Sequence, residues 1–129
     1  PSVSQGFEGV SPFLASGTLQ LATAAFLIRG EVEQAVEAVH TFRAVALAGS
    51  HGMLPNLDHH LWGGLTMAVA LFGDTIFADR PQQAEKARAI LEEYVTQVDR
   101  WAALCPENWE DRAQLLRSMR DLVTQESRL

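Results

Sequence analysis

The stretch that decides the fold is residues 81–105, PQQAEKARAILEEYVTQVDRWAALC. Apolar residues recur in it at alternating steps of three and four, which places them along one face of an α-helix. All seven positions of this face are apolar: Ala84, Ala87, Leu91, Tyr94, Val98, Trp101 and Cys105. Pro81 suits the first turn of a helix, and Pro106 interrupts the pattern. The sequence therefore predicts a helix from Pro81 to Leu104 that lays this face on a core.

The same spacing predicts four further helices, and no segment shows the alternation with a period of two that a half-buried strand requires. The first helix begins at Pro12 with Ser11 as its cap, and it ends at Arg29 because Gly30 offers a left-handed stop. The other predicted bounds are Glu31 to Gly49-Ser50 for the second helix, Leu57 (capped by Asn56) to Gly73 for the third, and a start near Asn108 for the fifth.

These elements predict an all-α protein, built as a five-helix array or bundle of antiparallel helix pairs. We expect a single domain over residues 1–129, with residues 1–10 as an irregular lead-in. Phe26, Gly30 and Ala35 match the aromatic, turn and small positions of a tetratricopeptide (TPR) unit, but Phe42 stands where that unit has alanine. The pattern thus indicates a degenerate TPR-like pairing and not a standard repeat.

Charge is distributed unevenly along the chain. The first 65 residues carry seven charged side chains, and the remaining 64 carry nineteen. None lies between Pro12 and Ile28 or between His59 and Gly73, so the first and third helices lack the charged face of a surface helix. We expect both to pack centrally or against a partner. This favours association as the function, with a protein partner or a second copy of the chain.

Composition excludes several other classes of function. The net charge of −6 leaves no basic stripe for nucleic acid or for an anionic membrane surface. The longest apolar run, Leu19–Ile28, is too short to cross a bilayer. Cys105 is the single cysteine, which fits a reducing compartment, so a cytoplasmic location is expected. The chain starts at Pro1 and not at Met, as a piece of a longer protein would.

Two short motifs carry potential metal or acid–base chemistry. Glu37 and His40 match the Glu-x-x-His pattern of di-iron helix bundles, but the first and third helices offer no glutamate to complete such a site. His59 and His60 diverge by about 100° on a helix, so they cannot bind one ion unaided, and we interpret them as polar residues of a first helical turn. No catalytic residue, metal site or cofactor is predicted, and no enzymatic activity is expected.

The predicted function is therefore a non-catalytic protein–protein interaction or scaffold domain in signalling or regulation. The alternative is a helical pocket between the first and third helices that binds an apolar small molecule. The tryptophans are expected to anchor the core. The candidate interface or pocket residues are Phe13, Leu21, Phe26, Trp62, Leu65, Val69, Phe72 and Phe77.

Residues 101–112, WAALCPENWEDR, resemble a motif of large hybrid signalling kinases of bacteria and fungi. These proteins combine a serine/threonine-kinase-like region, an AAA-type ATPase, a TPR-like helical stretch and a histidine kinase, and the helical stretch often carries Trp-Ala-x-x-Cys-Pro-Glu-Asn-Phe. Trp109 replaces the phenylalanine here, and Glu31 replaces the usual turn aspartate. The resemblance implies an interaction scaffold between signalling domains, with no catalytic residue to carry over.

A second resemblance supports the alternative function. Ser11-Pro-Phe-Leu14 before an uncharged helix, and an acidic helix that ends in Trp101, are similar to the all-helical regulatory region of fungal zinc-cluster transcription factors. The zinc-binding cysteines of that family are absent from the sequence. The resemblance therefore implies a regulatory or ligand-sensing domain without the DNA-binding part.

Overall fold

The computed structural model describes residues 12–46 and 54–127, which form five α-helices and no strand. The helices are α1 (Pro12–Ile28), α2 (Val32–Ala46), α3 (Leu54–Leu71), α4 (Pro81–Leu104) and α5 (Pro106–Ser127). The predicted all-α, five-helix architecture is confirmed. The predicted lead-in over residues 1–10 and the end of α2 at Gly49-Ser50 lie outside the described residues.

A left-handed glycine joins α1 to α2, as the sequence predicts. Gly30 has a φ of +79°, which glycine adopts without a steric penalty. Its N–H donates to the carbonyl oxygen of Leu27 at 3.0 Å, and the N–H of Glu31 donates to the carbonyl oxygen of Phe26 at 2.8 Å. These bonds satisfy the last carbonyls of α1 and turn the chain back along it.

Helix α4 supplies the largest part of the main core. Five of its predicted positions are buried: Ala84, Ala87, Leu91, Tyr94 and Val98. Ile90, Val95 and Ala102 are buried beside them. Trp101 and Cys105 are half-buried, and Trp101 packs against this core. The predicted apolar face is thus confirmed from Ala84 to Trp101, and Cys105 follows the last residue of α4.

Helix α3 lies at the centre of the protein and packs against each of the other four helices. Thr66, Met67, Ala68 and Ala70 are buried along it. Much of the uncharged part of α3 is therefore covered within one copy of the chain. Helix α1 differs, because it packs mainly on α2 and α3, and it adds a small second core around Leu19.

Two predicted helix starts are wrong for the same reason. Helix α3 begins at Leu54, so Asn56 lies inside it and Asp58 falls in the second turn. Helix α5 begins at Pro106, so Asn108 also lies inside its helix. In each case a proline, Pro55 in α3 and Pro106 in α5, stands in the first turn, where its missing N–H costs no hydrogen bond.

A carboxylate on α5 fixes the end of α3. The N–H of Gly73, in the 3₁₀ turn Phe72–Asp74, donates to both carboxylate oxygens of Glu126, at 2.8 Å and 2.9 Å. We expect Glu126→Ala to lower the free energy of unfolding by about 0.5–1 kcal/mol, because this N–H loses its acceptor. Urea denaturation followed by circular dichroism measures the change. Gln125→Ala, at the exposed neighbouring position, is the control, and an equal loss in both variants would contradict this role of Glu126.

Candidate functional site

The most unusual polar side chain in the described residues is His59, which is fully buried on α3. Its ring stacks on Phe42 of α2, with centroids 3.6 Å apart and an interplanar angle of 19°. Its Nε2 lies 2.9 Å from the hydroxyl oxygen of Tyr94 on α4. Its Nδ1 has no hydrogen-bond partner within the described part of the chain. Three helices thus enclose this imidazole.

A line of polar groups connects His59 to the surface. Arg43 donates from Nη1 to the hydroxyl oxygen of Tyr94 at 3.2 Å and also forms a short ion pair with Glu93. The hydrogen bond with Glu93 is the main reason that the pKa of Arg43 lies above its usual value. Burial raises the pKa of Tyr94 to about 12, so its phenol stays protonated at neutral pH.

Burial also holds the pKa of His59 well below its usual value of 6.5, and the nearby charges of His60 and Arg43 act in the same direction. The imidazole is therefore neutral at pH 7. A fully buried, neutral ring has no path to a substrate, so we assign His59 to the core and not to general acid–base chemistry. The expectation that His59 lies in the first turn of its helix is wrong, since it lies in the second turn of α3.

The Gly63-Gly64 pair makes room for this cluster. A Cβ added at Gly63 would lie 2.7 Å from Cε2 of Tyr94 and 3.0 Å from Nε2 of His59. A Cβ added at Gly64 would lie 2.8 Å from a terminal methyl of Leu116. Glycine is thus required beside the aromatic rings at Gly63, whereas at Gly64 the close contact is with the end of a flexible side chain.

Aromatic rings continue from the buried cluster toward the junction of α4 and α5. The ring centroid of His60 lies 4.7 Å from Tyr94 and 4.9 Å from Trp101, whose centroid is 4.9 Å from Trp109. The guanidinium of Arg112 lies 4.8 Å from the centroid of Trp109. All three tryptophans are half-buried, and Trp101 and Trp109 pack against the edge of the main core. They therefore border the core that they were expected to anchor.

The candidate interface residues have different environments. Leu21, Val69 and Phe72 are exposed, whereas Phe77 is buried in the main core. Phe26, Trp62 and Leu65 are half-buried, and the side chain of Phe13 lies outside what the structure describes. Ile28, which the sequence did not single out, is 73% exposed, about as much as Leu21 at 72%. Seven residues make about two helical turns, so the sequence could have placed Ile28 on the same side of α1 as Leu21.

A cleft of about 510 Å³ lies between α2, the connection that follows α3, and the start of α4. Glu37 and His40 both line it, together with Lys86 of α4. Burial, followed by the positive charges of Lys86 and Arg43, lowers the pKa of His40 from its usual value. Within the described residues, no group of three His, Cys, Asp or Glu side chains could hold a metal ion. Glu37 and His40 therefore form part of the wall of this cleft.

No family model, curated protein or solved structure matches this chain. None of the helices described here is both long enough and apolar enough to cross a membrane. The function is therefore inferred from the surfaces and clefts of the molecule itself.

Proposed function

We propose that this chain is a non-catalytic helical domain that binds protein through the outer face of α1, in a signalling or regulatory protein such as the kinases that residues 101–112 resemble. The supporting observation is an exposed apolar stripe of Leu21, Ala25 and Ile28. Their spacing of four and three residues places them on one side of the helix, opposite the buried Leu19 and Thr23.

The occupant that best fits this stripe is the same stripe of a second copy. Helix α1 contains no charged residue, so two copies related by a twofold axis bring no like charges together. Each fully buried Leu or Ile side chain contributes roughly 1.5–3 kcal/mol. Four such side chains, two from each copy, contribute roughly 6–12 kcal/mol, so an association cost at the low end of about 4–15 kcal/mol leaves roughly 2–8 kcal/mol for binding. We therefore expect a weak dimer, with a dissociation constant on the order of 0.1 mM.

Sedimentation equilibrium over a concentration series up to about 1 mM tests this proposal, since that range spans the expected dissociation constant. The average mass should rise from 14.2 kDa toward twice that value as the concentration increases. The double variant Leu21→Gln/Ile28→Gln should stay at 14.2 kDa, because glutamine keeps the helix and removes the apolar stripe.

Leu104→Gln is the matched control, since Leu104 is 84% exposed at the end of α4. It should associate like the wild type. A wild-type chain that stays monomeric at the highest concentration contradicts self-association through α1, as does a dimer that survives the double substitution. The alternative function, an apolar pocket between α1 and α3, stays a prediction.

A further inference from the structure

Exposed apolar side chains outside the α1 stripe are concentrated on α3 and α5. Within the described residues, seven large apolar side chains are exposed, of which two belong to the stripe on α1 and one ends α4. The other four are Val69 in α3, Phe72 directly after it, and Leu115 and Leu122 in α5. None of the four is on α1, so they are distinct from the stripe proposed to bind a second copy.

Val69 and Phe72 lie on the side of α3 opposite α4. Gly63 faces α4, because a Cβ added to it would meet the ring of Tyr94. At about 100° per residue, Val69 and Phe72 lie about 120° and 180° around the helix from Gly63. The half-buried Leu65 continues the same side one turn earlier.

Leu115 and Leu122 lie on the corresponding side of α5. Arg117 faces α4, since it pairs with Asp99 at 2.6 Å. The two leucines lie about 160° and 140° around α5 from Arg117. Both rows of apolar side chains therefore face away from α4, which packs against α3 and α5 alike.

The two rows lie side by side, because α3 and α5 are in contact and run in the same direction. Leu116 lies against Gly64, and Glu126, near the end of α5, accepts the N–H of Gly73, which follows Phe72. The four exposed side chains thus form one apolar surface, the α3/α5 face.

A carboxylate lies at each end of the α3/α5 face. Asp111 is one turn before Leu115, and Glu126 is one turn after Leu122. Neither forms an ion pair with any residue that the structure describes. The two carboxylates are about 22 Å apart along α5.

Basic side chains of the described residues do not compensate these two charges. Helix α3 contains no lysine or arginine. On α5, Arg117 and Arg120 pair with residues of α4, and Arg112 lies 3.9 Å from Asp58. The α3/α5 face is therefore apolar along its length and negative at its ends.

A second copy of the chain does not fit this face. A twofold axis would bring Asp111 of each copy against Asp111 or Glu126 of the other. These carboxylates would lose water without gaining a counter-charge. The occupant that fits must therefore bring positive charge.

We propose that the α3/α5 face binds an amphipathic helix of another protein, with apolar residues along the side that covers the face and a lysine or arginine near each end, beside Asp111 and Glu126. A helix of about four turns spans the distance between the two carboxylates. Its apolar side removes the four exposed side chains from water. Its terminal cations determine which helices bind, since an acidic end is repelled by the same carboxylates.

Three labelled peptides of about 18 residues test the proposal by fluorescence anisotropy. The first has leucine at every third or fourth position, glutamine elsewhere and two lysines at each end. The second has glutamates in place of the lysines, and the third keeps the lysines but has its leucines scrambled. At physiological ionic strength the first peptide should bind with a micromolar dissociation constant, at least about tenfold more tightly than the other two.

Leu115→Gln/Leu122→Gln should weaken binding of the lysine peptide at least about tenfold, because two half-exposed leucines no longer contribute to burial. Leu104→Gln, at the end of α4, is the control and should change binding by less than about twofold. Asp111→Asn should weaken binding about threefold, the effect of one exposed ion pair. Glu85→Gln removes the same charge from the exposed start of α4 and should have a smaller effect.

Several outcomes would overturn the proposal. Equal binding of the three peptides, or no binding of the lysine peptide, would show that the face does not select a basic amphipathic helix. Binding lost in Leu21→Gln/Ile28→Gln but kept in Leu115→Gln/Leu122→Gln would place the peptide on α1. Self-association lost in Leu115→Gln/Leu122→Gln would show that a second copy covers the face. Circular dichroism of each variant establishes that it is folded, so a loss of fold is recognised separately.

Discussion

Gly63→Ala is expected to destabilise the protein by about 2 kcal/mol, although the same change in an exposed helix stabilises it by about 1 kcal/mol. The added methyl would lie 2.7 Å from the ring of Tyr94 and 3.0 Å from Nε2 of His59. Both distances are too short for a carbon atom, so the rings must move. Overpacking of a core costs up to about 3 kcal/mol, which exceeds the gain in helix propensity.

The rings have little freedom to move. The hydroxyl of Tyr94 is bonded to Arg43 and lies within hydrogen-bond distance of His59. The ring of His59 is stacked on Phe42. A ring movement that removes the clash with the new methyl therefore weakens polar contacts in a site that water cannot reach. The cost of losing such a contact adds to the steric cost.

Urea denaturation followed by circular dichroism measures the free energy of unfolding for a graded series of glycine substitutions. Gly17→Ala is the matched control, because nothing lies within 4 Å of the added methyl, and it should gain up to about 1 kcal/mol. Gly64→Ala should fall between the two, since a methyl of Leu116 can rotate away more easily than an aromatic ring can. A Gly63→Ala protein as stable as the wild type would contradict the packing described around Tyr94.

A second large effect is expected from pH. His59 is neutral in the folded protein because burial holds its pKa well below 6.5, whereas in the unfolded chain it titrates near 6.5. Below that value the unfolded chain binds a proton that the folded protein does not. The free energy of unfolding should therefore be highest above pH 6.5 and fall by about 2 kcal/mol between pH 7 and pH 5.

His59→Gln tests the origin of this loss. The slope of the unfolding free energy against pH should become shallower by about 1 kcal/mol per pH unit on average in this window, whatever the stability of the variant at pH 7. His40→Gln should reduce this slope by a smaller amount, since His40 is only half-buried and its pKa is lowered less. An unchanged slope in His59→Gln would show that another group binds the proton.

The local periodicity of the sequence determined much of the fold. The period of apolar residues in α4 depends on neighbours three and four positions apart, so it could be predicted without knowledge of the tertiary structure. Proline could not be interpreted in the same way, because it suits both the first helical turn and a break. The predicted start of α4 at Pro81 is confirmed. Pro106 starts α5 directly after α4, and the apolar pattern alone could not show whether this proline begins a helix or only ends one.

The sites depend on residues that are distant in sequence. His59 is enclosed by residues of α2 and α4, and the cleft brings His40 within the electrostatic reach of Lys86. Neither arrangement follows from spacing along one helix. The Gly63-Gly64 pair is the one local sign in the sequence that something approaches α3 closely, and the structure places the side chains of Tyr94, His59 and Leu116 there.

The position of the tryptophans determines what intrinsic fluorescence can report. Trp62 belongs to α3, while Trp101 and Trp109 touch each other where α4 meets α5. Neither α1 nor α2 contains an indole. Emission spectra therefore report on α3 and on the junction of α4 and α5, and detachment of the α1–α2 hairpin would be detected mainly through Trp62, on the helix against which both α1 and α2 pack.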